Sequence, residues 1–130
     1  MRLLTLGGDE QAAAEHAALW PLRRMPLLVD EGRTIMEASI IIEYLALHHP
    51  GPVRLIPQDP DAALEARMLD RFFDNYVMTP MQKVVIDRLR AAENRDDQGV
   101  AEARKLLETA YAWLDERMAS RSWAAGDAFS

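Results

Sequence analysis

Few side chains in these 130 residues are suited to chemistry, and none of them is a cysteine. The residues given therefore hold no disulfide, thiolate zinc site or cysteine nucleophile. The adjacent cations Arg23 and Arg24 could hold one small anion, although solvated loop cations have the same pattern. His48 and His49 fall at a predicted helix end, where a positive charge interacts favourably with the helix dipole. Adjacent histidines on a helix point apart, which disfavours a metal site.

Glu37 is an acidic residue for which two roles are open. It lies three residues after Thr34, in the Thr-x-x-Glu order of a capping box, which is a purely structural arrangement. It also precedes the predicted start of a helix at Ala38, and a helix start offers N–H groups and partial positive charge to an anion. The local pattern alone does not decide between these roles.

The N-terminal elements that position these residues follow from local patterns. Residues 2–6 predict a short strand, and Asp9 can cap a helix that ends before Pro21. Residues 27–29 and 34–36 are mostly apolar, and the Asp-Glu-Gly-Arg tetrad between them has an aspartate at the turn start and a glycine that tolerates positive φ. This pattern predicts a β-hairpin.

Helical patterns dominate the rest of the chain. Residues 38–48 predict one helix, and residues 53–61 carry two prolines and are typical of a linker. A long helix is expected from residue 61 to residue 90 with a kink at Pro80, and another over residues 100–118, with a polar loop between them. The order predicts an α+β protein, in which a small strand–helix–hairpin–helix layer precedes a purely helical domain.

Residues 25–45, MPLLVDEGRTIMEASIIIEYL, combine a proline that opens a strand, a hairpin and an acidic residue at the next helix start. In this block the chain resembles the cytosolic glutathione transferases of the bacterial type, and the similarity extends through the Pro-x-Asp-Pro of the linker into both long helices. The resemblance implies a partial thioredoxin-like, glutathione-binding domain over residues 1–50, a linker over residues 51–60 and a partial helical domain over residues 61–130.

The resemblance also implies a glutathione site. Met25 would offer backbone groups to the cysteinyl unit, with the bond to Pro26 in the cis form, and Arg24 (or failing that Arg23) would bind the glycyl carboxylate. Glu37 would pair with the γ-glutamyl amine, while the N–H groups at the helix start bind the γ-glutamyl carboxylate. The implied site residues are Arg24, Met25, Pro26, Glu37, Ala38 and Ser39.

One position departs from the family pattern. Family members commonly carry serine directly after the glutamate, where its hydroxyl bonds the γ-glutamyl carboxylate, whereas this chain has Ala38 followed by Ser39. The backbone N–H remains, but a charge-assisted hydrogen bond of roughly 1.5–3 kcal/mol is lost unless Ser39 reaches the same anion. Glutathione affinity is expected to depend on this departure.

The resemblance implies no catalytic residue within the chain. In the family, the Tyr, Ser or Cys that stabilises the thiolate lies between a first strand and a first helix, which would precede residue 1. The next core helix would open at Phe129 and Ser130, so the chain is expected to be truncated at both ends. Tyr44 is assigned to packing within a helix. For Tyr76 and Met78 two roles are open: packing in the core or at a dimer face, and the place in the electrophile pocket that the resemblance implies.

Composition limits the remaining function classes. The net charge of −6 disfavours nucleic acid and anionic membranes as main partners, and no apolar run approaches the ~20 residues of a membrane span. The composition favours a cytoplasmic protein, and the resemblance implies a homodimer that conjugates the thiolate of glutathione, its co-substrate, to a small hydrophobic electrophile without a metal. The alternatives are a non-catalytic binding or scaffold module and an inactive remnant.

Overall fold

The structure, a computed structural model, describes residues 9–127. The chain divides into two compact units, Met1–Val53 and Arg54–Ser130. In the described part, the first unit holds helices and a hairpin and the second holds helices, so the predicted α+β class is confirmed. The strand predicted over residues 2–6 and the capping motif at residues 129 and 130 lie outside the described part, and the predicted domain limits stay a prediction. No helix within residues 9–127 combines the length and the apolar character needed to cross a bilayer.

Helix α1, Glu10–Leu19, begins and ends where the sequence predicts. The carboxylate of Asp9 accepts the N–H of Ala12 at 3.0 Å, which caps the first turn, and Trp20, the residue before a proline, caps the other end. Ala12 and His16 lie one turn apart and are both buried. This face of α1 therefore packs inward and carries a polar side chain into the interior.

Strands β1, Leu27–Asp30, and β2, Arg33–Met36, form the predicted antiparallel hairpin. Both central residues of the turn have positive φ, 47° at Glu31 and 80° at Gly32, which is typical of a type I′ turn. This turn type matches the right-handed twist of paired strands, so it keeps the two strands in register. Ile35 in β2 is buried and anchors the hairpin in the core of the first unit.

Helix α2, Ala38–His48, follows β2 directly after Glu37 and packs on both strands of the hairpin. Its predicted bounds are confirmed. His49 caps the end of the helix, and its N–H donates to the carbonyl of Leu45 at 2.8 Å. The helix starts at the open end of the hairpin and runs along it towards the turn, where the side chain of His49 bonds Asp30.

Helix α3, Pro60–Phe72, passes into a π-helical turn, Phe73–Met78, and then into α4, Thr79–Arg88. The sequence predicts one α-helix with a kink at Pro80; the structure instead widens the helix in the turn before that proline. The reason is the missing N–H of proline, which changes the hydrogen bonding at this point. The N–H and the hydroxyl of Thr79 both reach a carbonyl five residues back, the hydroxyl at 2.8 Å.

Helix α5, Asp97–Met118, begins three residues before the predicted start. Asp96 caps it by accepting the N–H of Gly99 at 2.9 Å, within a stretch whose polar composition indicates a loop. A Cβ atom at Gly99 would collide with the side chains of Lys83 and Asp96, which form an ion pair. Because Gly99 has no side chain, there is room for this ion pair, which joins Lys83 of α4 to Asp96 at the start of α5.

The second unit has a small core where its helices meet. Helix α5 packs on α4 and on the π-helical turn. Within residues 54–127 the buried apolar residues are three alanines, a proline and a leucine: Ala63, Leu69, Pro80, Ala103 and Ala110. Leu69 has the largest side chain of the five, so it contributes the largest share of the apolar surface that they bury.

Glu65 joins α3 to the end of α5. Its carboxylate pairs with Arg117 and, at 3.3 Å, with Arg121, and it accepts the N–H of Gly126 at 3.4 Å. These hydrogen bonds, that from Arg117 foremost, hold the pKa of Glu65 below its ordinary value. The same bonds close the turn that follows α5, where Gly126 adopts a positive φ of 56°.

Candidate functional site

The open end of the hairpin brings together residues from two separate segments. Leu27 pairs with Met36 in the strand register, so the residues just beyond them, Pro26 and Glu37, lie at the same edge. Helix α2 starts immediately after Glu37. A proline segment, an acidic residue and a helix start, which are three parts of the implied site, therefore meet at one end of the hairpin.

Glu37 has a backbone conformation that L-residues rarely adopt, with φ of 68° and ψ of 125°. Such conformations cost about 1–3 kcal/mol and cluster at ligand sites. The Glu37 side chain is exposed and makes no capping bond. The capping-box interpretation is wrong, because Thr34 lies within β2 and Glu37 itself occupies the N-cap position. The strained backbone thus holds an exposed carboxylate beside a helix start.

The start of α2 offers backbone N–H groups to a ligand. The first helical bond joins the N–H of Ile41 to the carbonyl of Glu37 at 2.9 Å, so the N–H groups of Ala38 and Ser39 precede it. Glu37 gives this helix no side-chain cap and its first turn has no acidic residue, whereas aspartates cap α1, α3 and α5. The first turn of α2 therefore keeps a partial positive charge that an anion can neutralise.

The loop before β1 is exposed along its whole length. Every side chain in residues 21–26 is exposed, and Met25 has 68% of its surface open to solvent. The Met25–Pro26 bond is cis, as the resemblance implies. Behind the loop, Nε2 of the buried His16 lies 3.2 Å from the carbonyl oxygen of Arg24. The contact from His16 is one that the sequence analysis missed.

A second polar cluster that the sequence analysis missed lies at the turn end of the hairpin. The carboxylate of Asp30 accepts hydrogen bonds from the hydroxyl of Tyr44 at 2.9 Å and from Nε2 of His49 at 2.8 Å. Tyr44 was assigned to packing alone and His49 to the helix dipole, and both assignments are incomplete because both side chains bind Asp30. The partners lie 14 and 19 residues away along the chain, so no local pattern could reveal the cluster.

Asp30 and Tyr44 shift each other's pKa in opposite directions. The hydrogen bond from His49, followed by that from Tyr44, lowers the pKa of Asp30 below its ordinary value of 3.8. The hydrogen bond to Asp30 in turn raises the pKa of Tyr44 above its ordinary value of 10.0. The ionised form of Asp30 therefore stabilises the contact between the hairpin and α2.

Acidification is expected to weaken the native state through Asp30. Because the folded-state pKa is depressed, this contribution to stability is present above the ordinary value of 3.8 and is lost as the pH falls through the depressed pKa. Asp30→Asn should lower the midpoint of urea unfolding at neutral pH and reduce the fall of that midpoint between about pH 5 and pH 2. Glu31→Gln removes the neighbouring charge as a control, and an equal effect from this variant would contradict the assignment to Asp30.

Tyr76 and Met78 lie in the π-helical turn of the second unit, where 49% and 45% of their surfaces are exposed. The ring of Tyr76 lies 5.6 Å from that of Phe72, and the ring of Phe72 lies 4.5 Å from that of Trp113 on α5. Trp113, which the sequence analysis did not single out, thus extends this aromatic cluster to α5. The π-helical form is frequent at functional sites, and the pocket role of Tyr76 and Met78 stays a prediction.

The chain is similar in sequence to glutathione S-transferases. Residues 3–47 match the family described as "Glutathione S-transferase, N-terminal domain". The chain is 32% identical over 88 residues to maleylacetoacetate isomerase of Mus musculus, which covers 68% of the chain and 40% of that protein. It is 30% identical over 107 residues to a probable glutathione S-transferase of Nicotiana tabacum, which covers 82% of the chain and 44% of that protein.

A solved structure has the same fold. It is a glutathione S-transferase from Methylobacillus flagellatus KT with glutathione bound, and it matches with a TM-score of 0.82 at 26% identity, over 100% of the chain and 62% of that structure. The chain spans 40% to 44% of the length of the two curated relatives. The implied order, a thioredoxin-like region followed by a helical domain, is confirmed. Since the sequence match, the relatives and the shared fold agree, the chain belongs to the glutathione S-transferase family.

Proposed function

We propose that the protein binds glutathione at the open end of the hairpin and directs its thiolate at a hydrophobic electrophile. The observation that carries the proposal is the shared edge of Pro26, Glu37 and the start of α2, in a chain of this family. The solved relative from Methylobacillus flagellatus has glutathione bound, which supports the same ligand here.

Each charged part of glutathione meets a complementary group in this proposal. Glu37 pairs with the γ-glutamyl amine, and the N–H groups of Ala38 and Ser39 bind the carboxylate next to it. Backbone groups of Met25 bind the cysteinyl unit, and the guanidinium of Arg24 binds the glycyl carboxylate. The separation of these groups along an extended tripeptide selects glutathione over shorter thiols.

The proposed reaction replaces a leaving group on the electrophile with sulfur. The thiol of glutathione loses its proton to solvent, the thiolate forms a carbon–sulfur bond, and a group such as chloride departs with its electron pair. Tyr76 and Met78 line the electrophile pocket in this proposal, because an aromatic ring and a polarisable thioether suit varied hydrophobic ligands. None of the 130 residues is proposed to stabilise the thiolate, and the working form is proposed to be a cytoplasmic homodimer.

Calorimetric titration of glutathione into the purified chain tests the binding proposal. We expect saturable binding of glutathione, and binding of cysteinylglycine weaker by at least about tenfold, because that dipeptide lacks the γ-glutamyl group that Glu37 and α2 contact. A chain that is folded by circular dichroism and binds no glutathione would contradict the proposal. Binding without glutathione-dependent release of chloride from an activated aryl chloride would indicate the non-catalytic binding module instead.

Isomerisation is a second candidate reaction. It is favoured by the relative of Mus musculus, which is 32% identical and is named maleylacetoacetate isomerase. The two reactions differ in their glutathione stoichiometry, since conjugation consumes one glutathione for each electrophile whereas isomerisation consumes none. Incubation with maleylacetoacetate and a count of remaining thiol therefore separates them: product formation without loss of thiol indicates the isomerase.

A further inference from the structure

The loop before β1, residues 21–26, leads to the proposed site, and none of its side chains is buried. All side chains in residues 21–26 are exposed, and the bond from the N–H of Arg23 to the carbonyl of Trp20 at 2.9 Å holds the first turn of the loop. The peptide unit between Arg24 and Met25 follows that turn. An exposed loop needs a further contact at this point to keep one backbone direction.

His16 supplies such a contact from α1. Its side chain belongs to a residue that is 5% exposed, and its Nε2 lies 3.2 Å from the carbonyl oxygen of Arg24. A carbonyl oxygen accepts hydrogen bonds and cannot donate them, so the geometry assigns a proton to Nε2 of His16. Because breaking this bond would leave a buried donor without its partner, His16 resists movement of the loop.

The contact has a directional consequence for the next residue. The carbonyl of Arg24 and the N–H of Met25 belong to one peptide unit, which is planar and trans, so the two groups point in opposite directions. A carbonyl directed at the buried ring of His16 therefore directs the N–H of Met25 away from that ring.

We propose that His16 is a positioning residue for the glutathione subsite. It holds the peptide unit between Arg24 and Met25 so that the N–H of Met25 is presented to the cysteinyl unit of the ligand. The inference rests on the proposed function, because it takes glutathione to bind beside Met25. His16 acts through the loop backbone and does not touch the ligand.

Titration of glutathione into three variants of the chain tests this role. His16→Phe keeps a planar ring but removes the donor, and we expect its Kd to rise about fivefold. His16→Gln retains an N–H donor and should bind within about twofold of the unmodified chain. Ala12→Gly loosens α1 one turn away without removing the donor, so it should lower the melting temperature but leave the Kd within about twofold.

Several outcomes would overturn the inference. They are an unchanged Kd in His16→Phe, a Kd in folded His16→Gln as weak as that in His16→Phe, or an equal loss of affinity in Ala12→Gly. If the unmodified chain binds no glutathione, the proposed function fails and the role of His16 fails with it. If the unmodified chain and His16→Phe bind equally, the role of His16 alone is wrong.

The nitrogen resonances of the histidine rings provide a readout that does not require the ligand. The chain has three histidines, and the signals missing from His16→Gln identify those of His16. We expect a protonated Nε2 in the unmodified chain, and a neutral ring with its proton on Nδ1 would overturn the inference. Should His16→Phe fail to fold, this spectrum and the affinity of His16→Gln decide the question.

Discussion

Replacing Glu37 with glutamine is expected to weaken glutathione binding about tenfold in calorimetric titration. Glutamine keeps the size of the side chain and an accepting oxygen, but it removes the charge that pairs with the γ-glutamyl amine. A charge-assisted hydrogen bond is roughly twice as strong as a neutral one, and that difference accounts for the expected loss. Glu37→Ala, which also removes the oxygen, is expected to lose about 10- to 100-fold.

Glu31 provides a matched control for Glu37. Both are exposed glutamates of the first unit with positive φ, 47° at Glu31 and 68° at Glu37, but Glu31 lies in the turn at the opposite end of the hairpin. Glu31→Gln should therefore leave the affinity for glutathione within about twofold. Equal losses in the two glutamine variants would show that general acidic charge, and not the position of Glu37, attracts the ligand.

Glu37→Gly separates binding from folding. Glycine adopts a φ of 68° without steric cost, so relief of strain should keep the free energy of unfolding unchanged or raise it by up to about 2 kcal/mol. Loss of the carboxylate should nevertheless weaken glutathione binding. If the variant is as stable as the original chain and binds glutathione equally well, Glu37 is not part of the glutathione site.

Truncation of Leu69 to alanine is expected to lower the free energy of unfolding by about 2–5 kcal/mol. Leu69 is 3% exposed, and it shares the core of the second unit with Ala63, Ala103 and Ala110. Those alanines cannot extend into the space that the leucine leaves, so both the lost burial and the remaining cavity weaken the native state. Urea unfolding followed by circular dichroism measures the change as a lower midpoint.

Leu64 is the matched control for Leu69, because it lies on the same helix and is 64% exposed. Leu64→Ala makes the same chemical change with the same effect on helix propensity, and we expect it to alter the free energy of unfolding by less than about 1 kcal/mol. Comparable losses in the two variants would contradict the placement of Leu69 in the core.

The sequence could predict the elements whose signals are local. Asp9 at the N-cap of α1 and the Glu31–Gly32 turn of the hairpin satisfy backbone groups or φ angles within a few residues, and both appear where the pattern predicts them. Pro80 marked an irregularity correctly, but it did not reveal the π-helical form, since that depends on which carbonyl the preceding residue reaches. The start of α5 was misplaced because Asp96 looks like an ordinary loop residue until its carboxylate binds Gly99.

The sequence by itself also determined the family, because the order of proline, hairpin and Glu37 before a helix is a pattern along the chain. Only the tertiary structure decided how the parts of the site meet. The strand register sets Pro26 beside Glu37, and the packing of α1 turns His16 to the carbonyl of Arg24. The packing of α2 on the hairpin likewise carries Tyr44 and His49 to Asp30. The physical reason is that a hydrogen bond between distant residues depends on how elements pack, and residue spacing along a chain does not encode that packing.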